Sequence, residues 1–251
     1  MKLTRFVHNS VSKYGMIDHG KVYPLAGTIF EKPIRDGLGF PLEEVRLLCP
    51  VQPSKAICIG LNYKNHASEL DMVIPREPAF FMKPSSAVIG TGESIIYPHE
   101  LVTQMDYEGE LAVVIGRRAR YIEEKDVDYY ILGYTIANDV TARNLQPKDG
   151  RWMISKSFDT FLPVGPWIET KVDPHHLEMI VKVNGVVRQR ANTDEMIFSV
   201  PRIISYLSKV MTLYPGDLVL MGTPSGVGEL TPGDRVAISI EGIGCLENYV
   251  V

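Results

Sequence analysis

Apolar segments of strand length recur along most of the chain, separated by glycine, proline and aspartate. Beyond residue 50 these segments lie at 79–83, 111–116, 131–137, 178–183, 217–221 and 234–240. Helical patterns between them are few, so the pattern predicts a mixed, β-rich α+β fold rather than a doubly wound parallel sheet. Asn184-Gly185, between two apolar runs, adds the signal of a β-hairpin.

One helix is predicted in the last quarter of the chain. Ile203, Ile204 and Leu207 recur at helical spacing, and Ser199 and Pro201 stand where an N-cap and a first-turn proline are favoured. The apolar stripe indicates that this helix packs against a core and takes no part in chemistry.

The first fifty residues predict short strands and turns. A hairpin is expected around His19-Gly20 and a brief helix in the segment PLEEVRLL, residues 41–48. Pro50 and Pro53 then interrupt the chain. We therefore expect a small N-terminal domain at 1–50 and a main domain at 51–251. The smaller piece could extend the packing, contribute to a dimer or form a wall of a substrate pocket.

Composition removes several classes of function. The 251 residues are 45% hydrophobic and 22% charged, with a formal net charge of -4, which offers no basic surface for nucleic acid. No apolar run approaches the roughly 20 residues of a membrane helix, and the N-terminus lacks the apolar block of a signal peptide. Three cysteines without metal or disulfide spacing favour the reducing cytoplasm.

An acidic segment carries the first candidate site. In Asp-Tyr-Glu-Gly-Glu, residues 106–110, Glu108 and Glu110 are two apart at the start of an apolar strand, so they project from one face. Their mutual repulsion favours a cation between them, and a hard divalent ion with oxygen ligands suits the pair. Asp139, at the end of the next apolar run, can supply a third carboxylate. The alternative is a solvated strand end with ordinary surface acids.

A histidine, a glutamate and a lysine are candidates for catalysis. His66 and Glu69 are three apart, so on a helical turn the carboxylate can orient the imidazole or share its proton. An exposed surface pair is the alternative. Lys156 lies among residues expected to be partly buried, where its charge needs a metal-binding carboxylate or a substrate carboxylate as partner.

Three further residues are candidates for binding a polar ligand. Arg143 and Gln146 follow Asp139 by four and seven residues and would face the same way on a helical turn. Thr223 lies in the glycine-rich segment 222–228, which offers backbone N–H groups and a hydroxyl but lacks the ending of a P-loop. Solvated side chains and a tight turn are the alternatives.

Six motifs, taken in order, resemble those of the fumarylacetoacetate hydrolase family. They are GLNYKNHASE, FMKPSSAVIG, MDYEGELAVVIG, IANDVTARNLQ, KSFDTF and LMGTPSGVG. The resemblance covers about residues 55–250 and implies a β-sandwich roll with few helices, a bound Mg²⁺ or Mn²⁺, a homodimer and 2-oxo acid chemistry.

Residue roles also follow from the resemblance. It implies that Glu108, Glu110 and Asp139 are metal ligands and that His66 and Glu69 form a catalytic dyad on a segment that orders over substrate. It also implies that four residues contact the substrate or its carboxylate: Lys156, Arg143, Gln146 and Thr223. Of these, Lys156 is assigned to catalysis. The family commonly has aspartate where this chain has Asn144, which removes a charge near the expected site.

The reaction that the resemblance implies passes through a metal-stabilised enolate. We expect hydrolysis of a C–C bond in an acylpyruvate or a fumarylpyruvate-like substrate, decarboxylation of oxaloacetate, or both. The alternative is isomerisation of an unsaturated 2-hydroxy or 2-oxo diacid, of the 2-hydroxyhepta-2,4-diene-1,7-dioate type, in aromatic catabolism. A second alternative is a non-catalytic, metal-stabilised binding protein, which would not need the His66–Glu69 dyad.

Overall fold

The computed structural model describes residues 1–69, 71–147 and 151–251. The strands in this part of the chain are β1 (Lys2–His8), β2 (Val11–Asp18), β3 (Lys21–Ala26), β4 (Ile34–Arg35), β5 (Phe40–Pro41), β6 (Arg46–Leu48), β7 (Ala56–Gly60), β8 (Ala79–Lys83), β9 (Val88–Ile89), β10 (Ser94–Ile95), β11 (Met105–Tyr107), β12 (Gly109–Ile115), β13 (Ile131–Asn138), β14 (Thr141–Ala142), β15 (Leu162–Glu169), β16 (Glu178–Val183), β17 (Val186–Asn192), β18 (Leu218–Leu220), β19 (Gly228–Leu230), β20 (Arg235–Ile240) and β21 (Gly244–Val250). Strands therefore dominate the fold, as the sequence predicts.

Helices are short and few in the described residues. The α-helices are α1 (Lys64–Glu69), α2 (Met153–Lys156) and α3 (Val200–Val210), and 3-10 turns occur at Leu42–Glu44, Ser85–Ala87, Glu124–Tyr129, Arg143–Leu145 and Thr193–Glu195. No helix in this part of the chain has the length and apolar character needed to cross a membrane.

The strands form a large mixed sheet and two smaller ones in the described ranges. The large sheet has the order β4-β3-β2-β1-β15-β13-β12-β18-β7-β8, with β5, β6 and β9 paired alongside. The second has the order β10-β21-β20-β16-β17, and the third is β14-β11-β19. Most neighbours are antiparallel, whereas β18 and β7 run parallel. This mixed, β-rich arrangement confirms the predicted fold class.

Both predicted hairpins form. Strand β2 pairs antiparallel with β3, and β16 pairs antiparallel with β17. The two central residues of each loop have the positive φ that favours tight two-residue hairpin turns: His19 46°, Gly20 74°, Asn184 51° and Gly185 83°.

The predicted helix near residue 200 is α3. The Ser199 hydroxyl accepts a hydrogen bond from the backbone N–H of Arg202 at 3.4 Å, and Ile203, Ile204 and Leu207 are buried. Its role in packing is therefore confirmed.

The prediction of a helix within 41–48 is wrong except for a single turn. Only Leu42–Glu44 is helical, as a 3-10 turn, and Arg46–Leu48 form β6. Pairing of β6 with β1 supplies the backbone hydrogen bonds of these residues, so strand formation wins over local helix propensity.

Strand β12 lies between β13 and β18 in the large sheet and is buried along its whole length. Leu111 and Val113 contribute to one apolar core, whereas Ala112 and Val114 contribute to another. This alternation follows from the period of two in a strand, and it explains why the segment is a continuous apolar run. Glu110 shares the face of Ala112 and Val114, so the acidic site lies at the end of the second core.

The N-terminal strands continue the large sheet. Lys2 and Leu3 of β1 pair with Glu169 and Ile168 of β15, and the Met1 ammonium donates to the Glu169 carboxylate at 2.5 Å. Residues 1–50 therefore contact the rest of the chain through backbone pairing. The division into domains at 50/51 stays a prediction.

Candidate active site

Three buried carboxylates converge where β12 begins and β13 ends. Glu108, Glu110 and Asp139 each offer an oxygen, and these atoms all lie within 4.8 Å of one another. The antiparallel register sets Gly109 opposite Asn138, and the Asp139 N–H donates to the carbonyl of Glu108 at 2.8 Å. Cross-strand pairing therefore brings Asp139 together with Glu108 and Glu110, as the sequence predicts.

Gly109 explains the Glu-Gly-Glu pattern. A Cβ atom at this position would lie 2.4 Å from Cγ2 of Val181 and 3.3 Å from Cγ2 of Ile238. Real side chains do not approach so closely, so only glycine lets β16 and β20 pack on the strand that carries the acids.

Two buried lysines neutralise part of this negative charge. Lys156, at the end of α2, donates from Nζ to Oε2 of Glu108 at 2.7 Å and to Oδ2 of Asp139 at 2.8 Å. Lys83, at the end of β8, donates to Oδ1 of Asp139 at 2.5 Å and to the Val140 carbonyl at 2.8 Å. Lysine pairing with the acids was predicted for Lys156. Lys83 was missed, although a lysine that ends an apolar strand needs an anionic partner.

Arg143 completes the cationic set. Its Nη2 donates to Oε1 of Glu108 at 2.6 Å, its Nε donates to Oδ2 of Asp106 at 2.7 Å, and its Nη1 donates to Oε1 of Gln146. Sequence reasoning missed Asp106, which lies in the same acidic segment. Asp106 holds the Arg143 guanidinium in place and does not belong to the cluster of three carboxylates.

The route by which Arg143 and Gln146 reach Asp139 differs from the prediction. No continuous helical turn runs from 139 to 146, because β14 (Thr141–Ala142) begins two residues after Asp139. Pairing of β14 with β11 then sets the 3-10 turn Arg143–Leu145 beside the acidic segment. The predicted proximity holds, but a strand and a turn produce it.

The charges shift the pKa values of the acids in opposite directions. Burial raises the pKa of Glu110 well above its usual range, and the negative charges of Asp139 and Glu108 raise it further. Burial alone would also raise the pKa of Glu108, but Lys156 and Arg143 outweigh it and hold this pKa below the usual range. Among the described residues, Glu110 is thus the acid of the three that forms no ion pair with a lysine or an arginine.

The donor set fits a hard divalent cation. All three groups are carboxylates, and the one hydrogen bond that a protein group donates to Glu110 among the described residues comes from the Gly222 N–H at 2.7 Å. A cation with oxygen ligands would relieve the repulsion that raises the Glu110 pKa. These residues therefore fit Mg²⁺ or Mn²⁺.

The predicted dyad forms on α1. His66 is buried, and its Nδ1 lies 2.9 Å from Oε2 of Glu69. The other carboxylate oxygen of Glu69 accepts a hydrogen bond from the Gly226 N–H at 2.8 Å. A Cβ at residue 226 would lie 2.4 Å from the Arg188 carbonyl, and its φ is +95°, so glycine is required there. The dyad is thereby tied to the segment that carries Thr223.

The loop that leads into α1 is anchored by Asn62. Its side-chain Nδ2 donates to the carbonyls of Met221 at 2.7 Å and Phe198 at 3.1 Å, and its Oδ1 accepts from the Phe198 N–H at 2.8 Å. This buried amide fixes the chain two residues before α1 begins. Ordering of the following segment over substrate stays a prediction.

One small cavity joins the candidates. Its volume is about 20 Å³, close to the space of one water molecule. Apolar side chains, among them Phe81 and Trp152, form part of its wall. The candidates that line it are His66, Glu108, Glu110, Asp139, Arg143, Gln146, Lys156 and Thr223. Glu69 acts on this cavity through His66, whose ring nitrogen it contacts.

Asn144 points away from this chemistry. Its Oδ1 accepts from the N–H groups of Thr103 at 3.2 Å and Gln104 at 3.4 Å, and its Nδ2 donates to the Leu101 carbonyl at 3.1 Å. An amide serves this loop well because it both donates and accepts. The departure from the family motif therefore changes a loop anchor outside the cavity lining.

The chain belongs to the fumarylacetoacetate hydrolase family. Residues 55–251 match the family described as "Fumarylacetoacetate (FAA) hydrolase C-terminal", and residues 1–50 match the family "Rv2993c-like, N-terminal". The first match covers most of the chain and contains every candidate residue. The resemblance seen in the six motifs is confirmed.

Named relatives span several reactions. The mitochondrial oxaloacetate tautomerase Fahd2a of Rattus norvegicus is 43% identical over 84% of this chain and 71% of its own length. The structure of 2-hydroxyhepta-2,4-diene-1,7-dioate isomerase from Mycobacterium marinum has a TM-score of 0.93 at 43% identity, covering 100% of this chain and 98% of that one. Maleylpyruvate hydrolase from Sphingobium sp. SYK-6, in complex with manganese(II) and pyruvate, has a TM-score of 0.83 at 30% identity, covering 100% and 99%.

Proposed function

We propose that this chain is a divalent-metal-dependent enzyme that transfers a proton at the carbon beside the carbonyl of a short 2-oxo acid such as oxaloacetate. The observation that carries the proposal is the meeting of the His66–Glu69 dyad and three carboxylates at one cavity. The similarity to an oxaloacetate tautomerase and to a diacid isomerase, each 43% identical, supports proton transfer as the reaction.

The carboxylate cluster would hold the ion. Glu108, Glu110 and Asp139 supply oxygen ligands, and Lys83 and Arg143 keep two of these acids in position. When bound, Mg²⁺ or Mn²⁺ would act as a Lewis acid toward the oxygens of the 2-oxo acid. The manganese and pyruvate bound to the maleylpyruvate hydrolase support this pairing of ion and ligand class.

His66 would move the proton. With the Glu69 carboxylate accepting the hydrogen of Nδ1, the neutral imidazole keeps an unprotonated Nε2 as the base. Glu69 would hold the ring in this orientation and stabilise the imidazolium that forms. His66 is buried and lines the same cavity as the carboxylates, which places its ring at the proposed substrate site.

Arg143 and Lys156 would bind the carboxylate of the substrate. A guanidinium has five N–H hydrogens, and Asp106, Glu108 and Gln146 each accept one from Arg143, so two have no acceptor within the described ranges. Lys156 similarly donates to Glu108 and Asp139, and its third hydrogen has no acceptor in the part of the chain that the structure describes. Both side chains line the cavity, so these hydrogens are available to a bound anion.

Hydrolysis of a C–C bond, or decarboxylation, is the second candidate. The same dyad can activate water, and the similarity to maleylpyruvate hydrolase at 30% identity favours it. Isomerisation of an unsaturated diacid would also use His66 as the base that moves the proton. A homodimer and a cytoplasmic location stay predictions, as does the absence of nucleic-acid and membrane partners.

Hydrogen exchange tests the proposal directly. Oxaloacetate or pyruvate in D₂O is followed by proton NMR with Mg²⁺, with Mn²⁺ and after chelation, beside a panel of acylpyruvates and unsaturated diacids. We expect metal-dependent deuterium incorporation at C3 that His66→Ala slows by about 10²–10⁴-fold. Rapid cleavage of an acylpyruvate without faster exchange would favour the hydrolase, and no turnover with any ion would favour a binding protein.

A further inference from the structure

Gln189 is a buried amide that has no role in the proposed function. It lies on β17, in the second sheet, and its side chain reaches across to the large sheet. Its Oε1 accepts from the Gly109 N–H at 3.1 Å, and its Nε2 donates to the Pro224 carbonyl at 2.8 Å and to Oγ1 of Thr223 at 2.9 Å. One side chain therefore connects the residue between two metal-site acids with the hydroxyl at the cavity wall.

The neighbours of Gln189 determine which way its amide points. The Gly109 N–H can only donate, so it requires the amide oxygen. The Pro224 carbonyl can only accept, so it requires the amide nitrogen. With both ends assigned, the second hydrogen of Nε2 is directed at Thr223, whose hydroxyl must accept it.

This assignment determines the role of Thr223. A hydroxyl carries one hydrogen, and once its oxygen accepts from Gln189 that hydrogen is available for another acceptor. Within residues 1–69, 71–147 and 151–251, no protein acceptor receives a hydrogen bond from Thr223. Its side chain is buried and lines the cavity that contains the acids and Lys156.

We propose that Gln189 is a positioning residue that makes Thr223 an obligatory hydrogen-bond donor toward an anionic oxygen of the substrate. This inference rests on the proposed function, because it takes a 2-oxo acid carboxylate as the ligand. A hydrogen bond to a charged group contributes about ten- to a hundredfold in affinity. The direction of the Thr223 hydroxyl thus contributes to recognition of a carboxylate.

Oxalate with Mn²⁺ serves as the probe, because oxalate presents two carboxylates and cannot react at a C3 carbon. Its affinity for the Mn²⁺-loaded protein is measured by calorimetry for the wild type, Gln189→Glu, Thr223→Val and the double variant. In Gln189→Glu an ionised carboxylate can only accept, so the Thr223 hydroxyl turns away from the ligand. We expect oxalate binding to weaken about tenfold or more.

The double variant separates this effect from a change in charge. In the Thr223→Val background, Gln189→Glu is expected to cause no further loss of oxalate affinity, because no hydroxyl remains to be reversed. A new negative charge acting directly on the ion or the ligand would instead weaken binding equally in both backgrounds. That result, or wild-type affinity in Gln189→Glu, would overturn the inference.

Folding and metal binding are measured for every variant. Thermal unfolding and Mn²⁺ titration by electron paramagnetic resonance identify a variant that has lost its structure or its ion. If Gln189→Glu does not fold, Gln189→Leu carries the same cycle with a smaller expected loss of about threefold, since the hydroxyl is then free to rotate. If the wild type itself binds no oxalate with Mn²⁺, the proposed function fails. If only the dependence on Thr223 is missing, the function stands and this inference fails.

Discussion

Lys83 donates a hydrogen bond of 2.5 Å to Oδ1 of Asp139, and both side chains are buried. Without Lys83, the buried carboxylate would lose one of its two cationic partners. Lys83→Met is therefore expected to destabilise the metal-free protein by about 3–5 kcal/mol. Urea unfolding with and without Mn²⁺ checks this, and we expect the loss to shrink when a divalent ion supplies the missing positive charge.

The matched control for that variant is Lys125→Met. Lys125 pairs with Glu123 at the surface, where a salt bridge contributes little, so the unfolding midpoint should barely move. An equal loss for Lys83→Met with and without Mn²⁺ would show that the ion does not act near Asp139.

Glu108→Gln is expected to abolish metal-dependent turnover. The amide keeps the shape of the side chain, but it loses the charge that offsets Lys156 and Arg143 and a strong ligand for the ion. Mn²⁺ affinity, measured by paramagnetic resonance, should fall by more than the roughly 10–100-fold that outer partners of metal sites cost. Glu178→Gln, at an exposed ion pair with Arg190, is the control. The mechanism would be contradicted if Glu108→Gln kept wild-type turnover. It would also be contradicted if turnover were unchanged after complete removal of the metal.

His66→Ala should lower the rate of proton transfer or hydrolysis by about 10²–10⁴-fold, the usual contribution of a general base. Mn²⁺ affinity should change little, because His66 lies outside the carboxylate cluster. Decarboxylation of oxaloacetate, which needs neither water attack nor a base, should suffer far less. Parallel rate measurements on both reactions check the assignment, and an equal loss in the two would show that His66 has another role.

Gly109→Ala should destabilise the protein and disturb the acids on either side of it. The added methyl would lie 2.4 Å from Val181, so β16 must move or β12 must shift. Overpacking of this kind costs about 1–3 kcal/mol. Gly185→Ala is the comparison, because it has φ +83° but nothing within 4 Å, so it carries backbone strain alone. Urea unfolding and Mn²⁺ titration of both variants should show weaker ion binding in Gly109→Ala only.

Thiol reactivity should distinguish the three cysteines. Cys245 is exposed, whereas Cys49 and Cys58 are buried, and burial raises the pKa of Cys49 to about 12. An aromatic disulfide reagent at pH 8 should label one thiol per native chain and three after denaturation. Between pH 9 and about 12 the unfolded Cys49 ionises and the folded one does not, so this thiol should lower the free energy of unfolding as pH rises. Cys245→Ser should abolish the fast labelling, and rapid labelling of a second thiol would contradict the burial.

Local geometry accounts for the parts of the site that sequence could predict. The period of two in a strand places Glu108 and Glu110 together, and the spacing of three in a helix joins His66 and Glu69. Both relationships depend on neighbours in the chain. The hairpin at Asn184-Gly185 was predictable for the same reason.

Contacts between distant strands account for what the sequence could not show. Lys83 ends β8 and contacts Asp139, although β8 and β13 are not neighbours in the large sheet. Gln189 contacts Thr223 from β17, which belongs to another sheet. No spacing along the chain encodes these encounters. The position of Arg143 near the acids was predicted for a mistaken local reason, since β14 and the 3-10 turn Arg143–Leu145, not one helical turn from Asp139, bring it there.

The pairing of β1 with β15 determines what happens when the N-terminal segment is removed. In a fragment that starts at residue 51, the β15 backbone groups that now pair with Lys2 and Leu3 would be exposed. Part of the apolar core to which Leu3 contributes would be exposed as well. The unpaired backbone groups of an exposed edge strand can pair with strands of other molecules. The truncated protein should therefore self-associate into aggregates. Engineered forms that retain the opening hairpin should stay dispersed.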